Sequence, residues 1–179
     1  MAKGGSISVS TRDVVLMGLG AALYAIFGSA TVFIPVGGMS LRPAIAIVSF
    51  FGAVYGPIVG FVVGAVGNLL LDFTWGSFWW NWDVGVGIIG LFPGIWWVIR
   101  GGKVEESKDL IMTSVLGVIG CFVGLFFAGI FDILAGFPFE EVIYAWVIPA
   151  AVTDAVFVLI LTPILIRAYN ASRPRYVEG

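Results

Sequence analysis

Six apolar stretches joined by short polar connections constrain this chain more than any other feature of its sequence. They cover approximately residues 14–34, 43–55, 57–71, 85–99, 110–134 and 142–166. One helical membrane crossing takes about 20 apolar residues, so 179 residues have room for about six crossings and none for a soluble domain. Charged residues make up 11% of the chain, against about 25% in soluble domains. This excludes a soluble enzyme, a nucleic-acid-binding protein and a secreted disulfide scaffold.

We therefore predict an all-α fold: a polytopic membrane protein that forms one compact bundle of six transmembrane helices over residues 1–179. The predicted polar regions are an N-terminus at 1–13, an inner loop at 101–109 and a C-terminal tail at 170–179. Segments 43–55 and 57–71 are short for full crossings, and Gly56 and Pro57 between them suit a helix end followed by a helix start. These two segments are expected to form a helical hairpin.

Basic residues are strongly sorted along the chain. If both termini lie inside, eight of the nine basic residues fall in inner regions: Lys3, Arg12, Arg100, Lys103, Lys108, Arg167, Arg173 and Arg175. Only Arg42 falls outside. Because an excess of Lys and Arg in inner loops is typical of membrane proteins, we predict that both termini lie inside.

Several kinds of chemistry are absent from the sequence. The chain has no histidine, which excludes His-ligated metal sites, Ser-His-Asp triads and histidine proton relays. Its one cysteine, Cys121, lies in an apolar run and is expected to be a buried packing residue. A phosphate-binding loop is also missing, so we expect no ATP hydrolysis by this chain. No nucleophile–base pair is evident, and we expect no other enzyme activity, no metal site and no cofactor.

Small residues recur at four-residue spacing within the apolar segments. Gly52, Gly56, Gly60 and Gly64 show this spacing, as do Gly120 and Gly124. Residues four apart share one helix face, and small ones let helix backbones approach closely in lipid. We interpret these faces as internal packing surfaces, with contact to another protein as the alternative.

The most unusual stretch is 72–83, which holds four of the seven tryptophans: Trp75, Trp79, Trp80 and Trp82. It is predicted to be the outer loop between the third and fourth segments. Tryptophans are typical of membrane interfaces, and aromatic faces also supply rigid contact area for a planar ligand. Because Asp72, Asn81 and Asp83 lie among these tryptophans, we favour a ligand-binding role for some of them.

Other polar residues are expected at the same outer face. Arg42, which follows a non-helical stretch and begins the second segment, could bind a ligand carboxylate or pair with Asp72. Asp132, Glu140 and Glu141 add to an acidic mouth that would favour a cationic or zwitterionic solute.

Two polar side chains lie inside apolar segments, Asn68 in the third and Asp154 near the middle of the sixth. A charge at the membrane centre costs about 2.5–3.5 kcal/mol, so Asp154 is expected to face a partner or a cavity. Three interpretations stay open for Asp154: a structural hydrogen-bond partner, the floor of a binding pocket, or a proton-coupling carboxylate.

These stretches together resemble the substrate-binding membrane subunits, or S-components, of energy-coupling factor (ECF) transporters of the vitamin type. The similar stretches are Leu41-Arg-Pro-Ala-Ile-Ala-Ile-Val, Phe51 through Asp72 with its Tyr-Gly-Pro turn, and Trp79-Trp80-Asn81-Trp82 followed by Gly90-Leu-Phe-Pro-Gly94. Ala21-x-x-x-Ala25 is similar to the motif with which family members dock onto their coupling subunit. The resemblance covers nearly the whole chain.

The resemblance implies a binding subunit in the plasma membrane of a prokaryote that takes up a vitamin or related micronutrient at its outer face. The implied partners are a transmembrane coupling subunit, two ATPase subunits that supply the energy, and the lipid membrane, with no nucleic acid. Candidate solutes are a thiamine-like cation, a flavin, cobalamin and queuosine-type precursors. The nickel or cobalt branch is disfavoured because its N-terminal histidine is absent. The predicted substrate-binding residues are Arg42, Asn68, Asp72, Trp75, Trp79, Trp80, Asn81, Trp82, Asp132 and Asp154, and the predicted partner-docking residues are Ala21 and Ala25.

Two other functions stay open from the sequence. The same fold could serve as a structural membrane scaffold without a ligand, or as a small stand-alone channel or carrier that uses Asp154. A scaffold would tolerate loss of the tryptophans, and a stand-alone carrier would move its solute without ATPase partners.

Overall fold

The computed structural model describes residues 9–172, and most of them are helical. The elements in this range are α1 (Thr11–Ser29), β1 (Pro35–Val36), β2 (Met39–Ser40), α2 (Ile45–Tyr55), α3 (Pro57–Thr74), α4 (Trp80–Ile99), α5 (Ser107–Leu134), a π-helical segment (Glu141–Val147) and α6 (Ile148–Ser172). Five helical stretches there are long and apolar enough to cross a membrane, with the π-helical segment and α6 together forming the fifth. α2 is a shorter apolar helix. The predicted all-α membrane bundle is confirmed.

Aromatic contacts show which helix ends lie together. The guanidinium carbon of Arg12, at the start of α1, lies 6.0 Å from the centre of the Tyr55 ring at the end of α2. The rings of Tyr55 and Tyr169 are 5.8 Å apart. The start of α1 and the end of α6 therefore share one end of the bundle, which we call the terminal end. We call the opposite end the cavity end; its connections are residues 30–44, 75–79 and 135–140.

Basic residues follow this division. Within the described range, the terminal end carries Arg12, Arg100, Lys103, Lys108 and Arg167, whereas Arg42 lies at the cavity end. The predicted inner residues Lys3, Arg173 and Arg175 lie outside the described residues. The side of the membrane that each end faces stays a prediction.

Local sequence signals set the helix ends. Ser10 caps α1, since its Oγ accepts the N–H of Asp13 at 3.2 Å and the Asp13 carboxylate accepts the N–H of Ser10 at 2.9 Å. Gly56 has a φ of 101°, a conformation that strains residues with a Cβ, and Pro57 begins α3 directly afterwards. The predicted break between α2 and α3 is confirmed.

α1 ends at Ser29, before the predicted boundary at residue 34. Pro35 lacks a backbone N–H and begins a two-stranded antiparallel hairpin, in which Val36 pairs with Met39. The apolar run therefore continues past the helix into a hairpin at the cavity end, a distinction that hydropathy alone does not make.

The aromatic stretch 72–83 is mostly helical, and its prediction as a loop was wrong. α3 continues to Thr74 and α4 begins at Trp80, so only residues 75–79 connect them. Polar and aromatic residues here extend two helices beyond their apolar parts. Asp83 lies in the first turn of α4, where the helix dipole favours a negative charge.

Glycines bring the helices into close contact. A Cβ on Gly52 or Gly60 would collide with the carbonyl of Gly90, so α2, α3 and α4 meet there backbone to backbone. A Cβ on Gly85 would lie 2.6 Å from the carbonyl oxygen of Gly124, where α4 meets α5. The prediction of internal packing surfaces is confirmed for Gly52, Gly60 and Gly124.

Apolar side chains fill the space around the glycine contacts. Each of the six α-helices in the described range contributes at least one fully buried side chain, for example Tyr24, Val48, Val63, Ile89, Leu125 and Val158. Cys121 on α5 is also fully buried, which confirms its prediction as a packing residue.

A charged cluster fixes the connection between α4 and α5 at the terminal end. Asp109 accepts the backbone N–H groups of Glu105 at 3.1 Å and Glu106 at 3.0 Å. It also accepts the indole N–H of Trp96 at 3.0 Å, and Nε of Arg100 lies 2.8 Å from it. Asp109 was predicted in the inner loop, but it is a buried residue in the first turn of α5.

Candidate functional site

A cavity of about 470 Å³ lies at the cavity end of the bundle. Four tryptophans line it: Trp75, Trp79, Trp82 and Trp146. Its polar lining consists of Ser40, Arg42, Asn68, Asp72 and Ser77, and the remaining lining residues are Gly28, Val32, Gly38, Met39 and Leu71. Sites for small organic molecules typically combine this size with apolar and aromatic walls and a few polar groups.

Arg42 is the one cation among the described residues that line the cavity, and it is only 7% exposed. Its Nη2 donates to Oδ2 of Asp154 on α6 at 2.8 Å, and Asp154 is fully buried. Each charge compensates the other, since either alone would be strongly unfavourable inside the bundle. Arg42 therefore pairs with Asp154 and not with Asp72. Asp154 does not line the cavity.

Asp72 shapes the short connection between α3 and α4. Its backbone carbonyl accepts the N–H of Ser77 at 3.1 Å, and its Oδ2 accepts the N–H of Trp79 at 3.0 Å. Both residues line the cavity, so this aspartate positions part of the wall. Asp72 is half-buried and is the one carboxylate in the lining within residues 9–172.

Asn68 joins three helices at the cavity wall. The hydroxyl of Tyr24 on α1 donates to Asn68 Oδ1 at 3.2 Å. Asn68 Nδ2 in turn donates to Oδ1 of Asp83 on α4 at 2.8 Å. Buried polar groups at membrane depth need such partners, because no water or lipid group can replace them.

Asp132 on α5 holds the wall formed by α4. Its Oδ1 accepts a hydrogen bond from Asn81 Nδ2 at 2.6 Å, and its Oδ2 accepts one from Trp82 Nε1 at 2.7 Å. Asn81 Nδ2 also donates to the carbonyl of Ala128 at 2.9 Å. The indole N–H of Trp82 therefore donates to Asp132 within the bundle, while the Trp82 ring forms part of the cavity wall.

Aromatic rings link the connections at the cavity end. Phe137 lies between Trp79 and Trp146, with ring-centre distances of 5.9 Å and 5.3 Å. The hairpin reaches the same region, since the N–H of Gly38 donates to the carbonyl of Ala145 at 2.8 Å. Both Ala145 and Trp146 belong to the π-helical segment, and π-helical turns are frequent at functional sites.

The cavity brings together six of the ten predicted binding residues: Arg42, Asn68, Asp72, Trp75, Trp79 and Trp82. It does not include Trp80, Asn81, Asp132 or Asp154. Trp80 packs against Phe131 with ring centres 4.9 Å apart and is 47% exposed. Substrate contact by any of the ten stays a prediction. Within residues 9–172, no group of three or more Cys, Asp or Glu side chains is arranged to hold a metal ion.

Sequence reasoning missed Trp146 and the hairpin residues that line the cavity. Trp146 lies in an apolar segment far along the chain from the other tryptophans. Its position near the predicted outer end of segment 142–166 could have indicated the site, since tryptophans concentrate at membrane interfaces. The hairpin offered no comparable signal, because Gly38 and Met39 carry no distinctive chemistry.

The two predicted docking residues lie differently on α1. Ala21 is 1% exposed, and a Cβ on Gly67 of α3 would lie 3.2 Å from its carbonyl oxygen. Ala21 therefore belongs to the contact between α1 and α3. Ala25 is half-buried, as is Ala22, whereas Gly18 is exposed.

The fold and the cavity together define a multi-pass helical membrane protein with a ligand-sized site at one end. Comparison with known proteins gives the family. The model of the family described as ECF-type riboflavin transporter, S component, matches residues 8–171. A UPF0397 protein of Aliivibrio fischeri strain MJ11 is 36% identical over 153 residues, which cover 81% of this chain and 83% of the relative.

The chain therefore belongs to the family of ECF-type riboflavin transporter S components, and the resemblance found in the sequence is confirmed. It is a membrane substrate-binding subunit of an ECF transporter. The stretches that carry the resemblance include residues of the cavity wall, among them Arg42 and Trp82.

Proposed function

We propose that the protein binds riboflavin, or a closely related flavin, in the cavity and delivers it through a coupling subunit and two ATPase subunits. The observation that carries this proposal is the cavity of about 470 Å³ with four tryptophans and the polar groups of Arg42, Asn68 and Asp72 in its lining. Indole faces suit a planar ring, and a few polar groups can orient its edges. The family's description supports a flavin as the ligand.

We place the cavity at the outer face of a prokaryotic plasma membrane. The support is electrostatic, because the described basic residues other than Arg42 lie at the terminal end or in its connections. Lys and Arg concentrate on the inner side of membrane proteins. A binding subunit with this orientation meets its solute from outside.

We place the docking surface for the coupling subunit on the outward small residues of α1. A Cβ on Gly18 would meet no atom within 4 Å, and the half-buried Ala22 and Ala25 continue the same face. Small residues three or four apart let helices pack closely in lipid. Ala21, which packs against α3, supports this face from inside the bundle.

The ion pair of Arg42 and Asp154 favours a binding subunit over a stand-alone carrier that uses Asp154. A proton-coupling carboxylate must gain and lose its proton during each cycle. Asp154 is fully buried, is bonded to Arg42 at 2.8 Å and does not line the cavity, so it does not meet a solute in the cavity directly.

The test is a titration of the purified protein in detergent with riboflavin, followed by tryptophan fluorescence and calorimetry. Trp79→Ala removes a ring from the cavity lining. Trp80→Ala is the matched control, because the Trp80 ring packs against Phe131 outside the cavity. One lost ring contact of about 1.4 kcal/mol weakens binding about tenfold for Trp79→Ala, and Trp80→Ala should stay within about twofold of wild type.

Two results would contradict the proposal in different ways. Saturable binding of thiamine but not riboflavin would mean that the protein is a binding subunit whose ligand is not a flavin. No quenching with any vitamin of a panel, together with no small molecule identified by mass spectrometry in the purified protein, would favour a structural scaffold.

A further inference from the structure

We propose that Arg42 recognises an uncharged carbonyl oxygen on the edge of the bound ring, and that Asp154 is the positioning residue that presents Arg42 to it. This inference rests on the proposed flavin-binding function. It specifies which chemical group of the ligand the cavity distinguishes.

The hydrogen bonds of Arg42 leave most of its guanidinium free. A guanidinium has five N–H donors. Within the described residues, its one hydrogen bond is that of Nη2 to Asp154, and its buried Nε has no partner. A buried donor without an acceptor is unfavourable, and Arg42 lines the cavity. A ligand that brings an oxygen acceptor to this part of the wall gives the guanidinium a hydrogen bond that the bundle does not supply.

The geometry of the ion pair explains how Arg42 stays available. Arginine and carboxylate groups often pair through two parallel hydrogen bonds. Here a single contact joins Nη2 to Oδ2, and Oδ1 of Asp154 has no hydrogen-bond partner. Asp154 therefore fixes the guanidinium at one nitrogen and leaves its other edge for a ligand.

The charges around Arg42 favour an uncharged acceptor. Asp154 already compensates the charge of Arg42, and Asp72 adds a further carboxylate to the lining. A carboxylate or phosphate on the ligand at this position would meet more negative than positive charge. A carbonyl accepts the same hydrogen bonds without adding charge, and a flavin ring carries two carbonyls along its pyrimidine edge.

The experiment compares riboflavin with its 2-thio and 4-thio analogues, in which a weaker acceptor replaces one carbonyl oxygen. We expect one analogue to bind wild type about tenfold more weakly than riboflavin. Arg42→Lys keeps the ion pair but lacks the planar fork, and should reduce that ratio to about twofold. The double variant Arg42→Gln/Asp154→Asn removes both charges together, so neither is left buried without its partner. It should also reduce the affinity ratio between riboflavin and the thio analogue. Lys108→Ala, an exposed change at the terminal end, is the control and should keep the wild-type ratio.

The positioning role of Asp154 has its own readout. Asp154→Asn keeps Arg42 but loses the charged anchor, so the ratio between riboflavin and the thio analogue should fall to about threefold, with partial recovery in Asp154→Glu. A merely structural Asp154 would lower thermal stability and leave the ratio unchanged, which would overturn this part of the proposal.

Failure of the inference and failure of the proposed function are distinguishable. If wild type binds riboflavin but does not discriminate the thio analogues, or if the Arg42 variants discriminate them as wild type does, Arg42 does not contact a carbonyl. The flavin-binding function would stand in both cases. If wild type does not bind riboflavin at all, both fall.

Discussion

Trp82 and Asp132 are joined by a hydrogen bond of 2.7 Å between the indole Nε1 and the carboxylate Oδ2, across 50 residues of sequence. The second carboxylate oxygen accepts a bond of 2.6 Å from the neighbouring Asn81. One buried acid on α5 therefore holds two consecutive residues of α4. Because Trp82 lines the cavity and Asp132 does not, the acid acts on the site through the tryptophan.

Replacement of Asp132 by Leu should destabilise the protein and weaken ligand binding. It leaves the buried Trp82 N–H without an acceptor, while Asn81 Nδ2 keeps the Ala128 carbonyl, so we expect a loss of about 1–3 kcal/mol. Asp132→Asn is the matched control, because its amide oxygen still accepts one bond. Unfolding can be followed by a maleimide dye on Cys121, the single and fully buried cysteine. Wild-type stability in Asp132→Leu would contradict this account.

Replacement of Gly90 by Ala should be strongly unfavourable. A Cβ at this position would collide with the carbonyl of Gly60 and lie 2.8 Å from a methyl group of Val48. Overpacking of this kind costs about 1–3 kcal/mol or more. Gly18→Ala is the control on an open helix face, where loss of backbone freedom in the unfolded chain should stabilise by about 0.4–1 kcal/mol. Equal thermal stability of the two variants would show that the glycine contact between α3 and α4 is not tight.

Helix positions could be predicted where a local signal marks them. The break between α2 and α3 follows from two local properties: Gly56 accepts a positive φ, and Pro57 has no backbone N–H. α5 ends at Leu134, where the apolar run ends. α3 also ends at such a signal, since Gly76 follows it with a φ of 69°. The bond between Asp72 and Trp79 closes the connection to α4, and hydropathy does not register a hydrogen bond.

The site could be predicted in part for a similar reason. Four tryptophans in one short stretch indicate a special surface, and three of them line the cavity. The role of Asp154 depends on a contact with Arg42 across 112 residues of sequence, which a single sequence does not reveal. Acids that hold a wall from behind therefore look the same in a sequence as acids that bind a ligand.

Replacement of Asp109 by Ala should loosen the connection between α4 and α5. It removes the acceptor of two backbone N–H groups before α5 and of the Trp96 indole. Loss of such a cap typically costs about 0.5–2 kcal/mol, and thermal unfolding should report it.

Lys108→Ala is the control for this cluster. The ammonium of Lys108 and the guanidinium of Arg100 hold the pKa of the Glu106 carboxyl below its usual value. The Lys108 and Glu106 side chains are exposed to solvent, so their ion pair contributes little. We expect no measurable change in unfolding temperature for Lys108→Ala. An equal loss in both variants would mean that surface charge, and not the buried cap, holds the connection.

Bulky substitutions on the outward face of α1 should separate binding from transport. Gly18→Leu and Ala22→Leu fill the face on which we place the coupling subunit, while the cavity lies elsewhere in the bundle. We expect unchanged riboflavin affinity in the isolated subunit. A docking loss of about 1.4 kcal/mol should lower co-purification with the partner subunits and ATP-dependent uptake into proteoliposomes about tenfold. Phe27→Leu, an exposed change on another side of α1, should leave uptake intact. Normal uptake in both leucine variants would move the docking surface to a different helix, because a close helix contact does not accommodate a leucine in place of glycine.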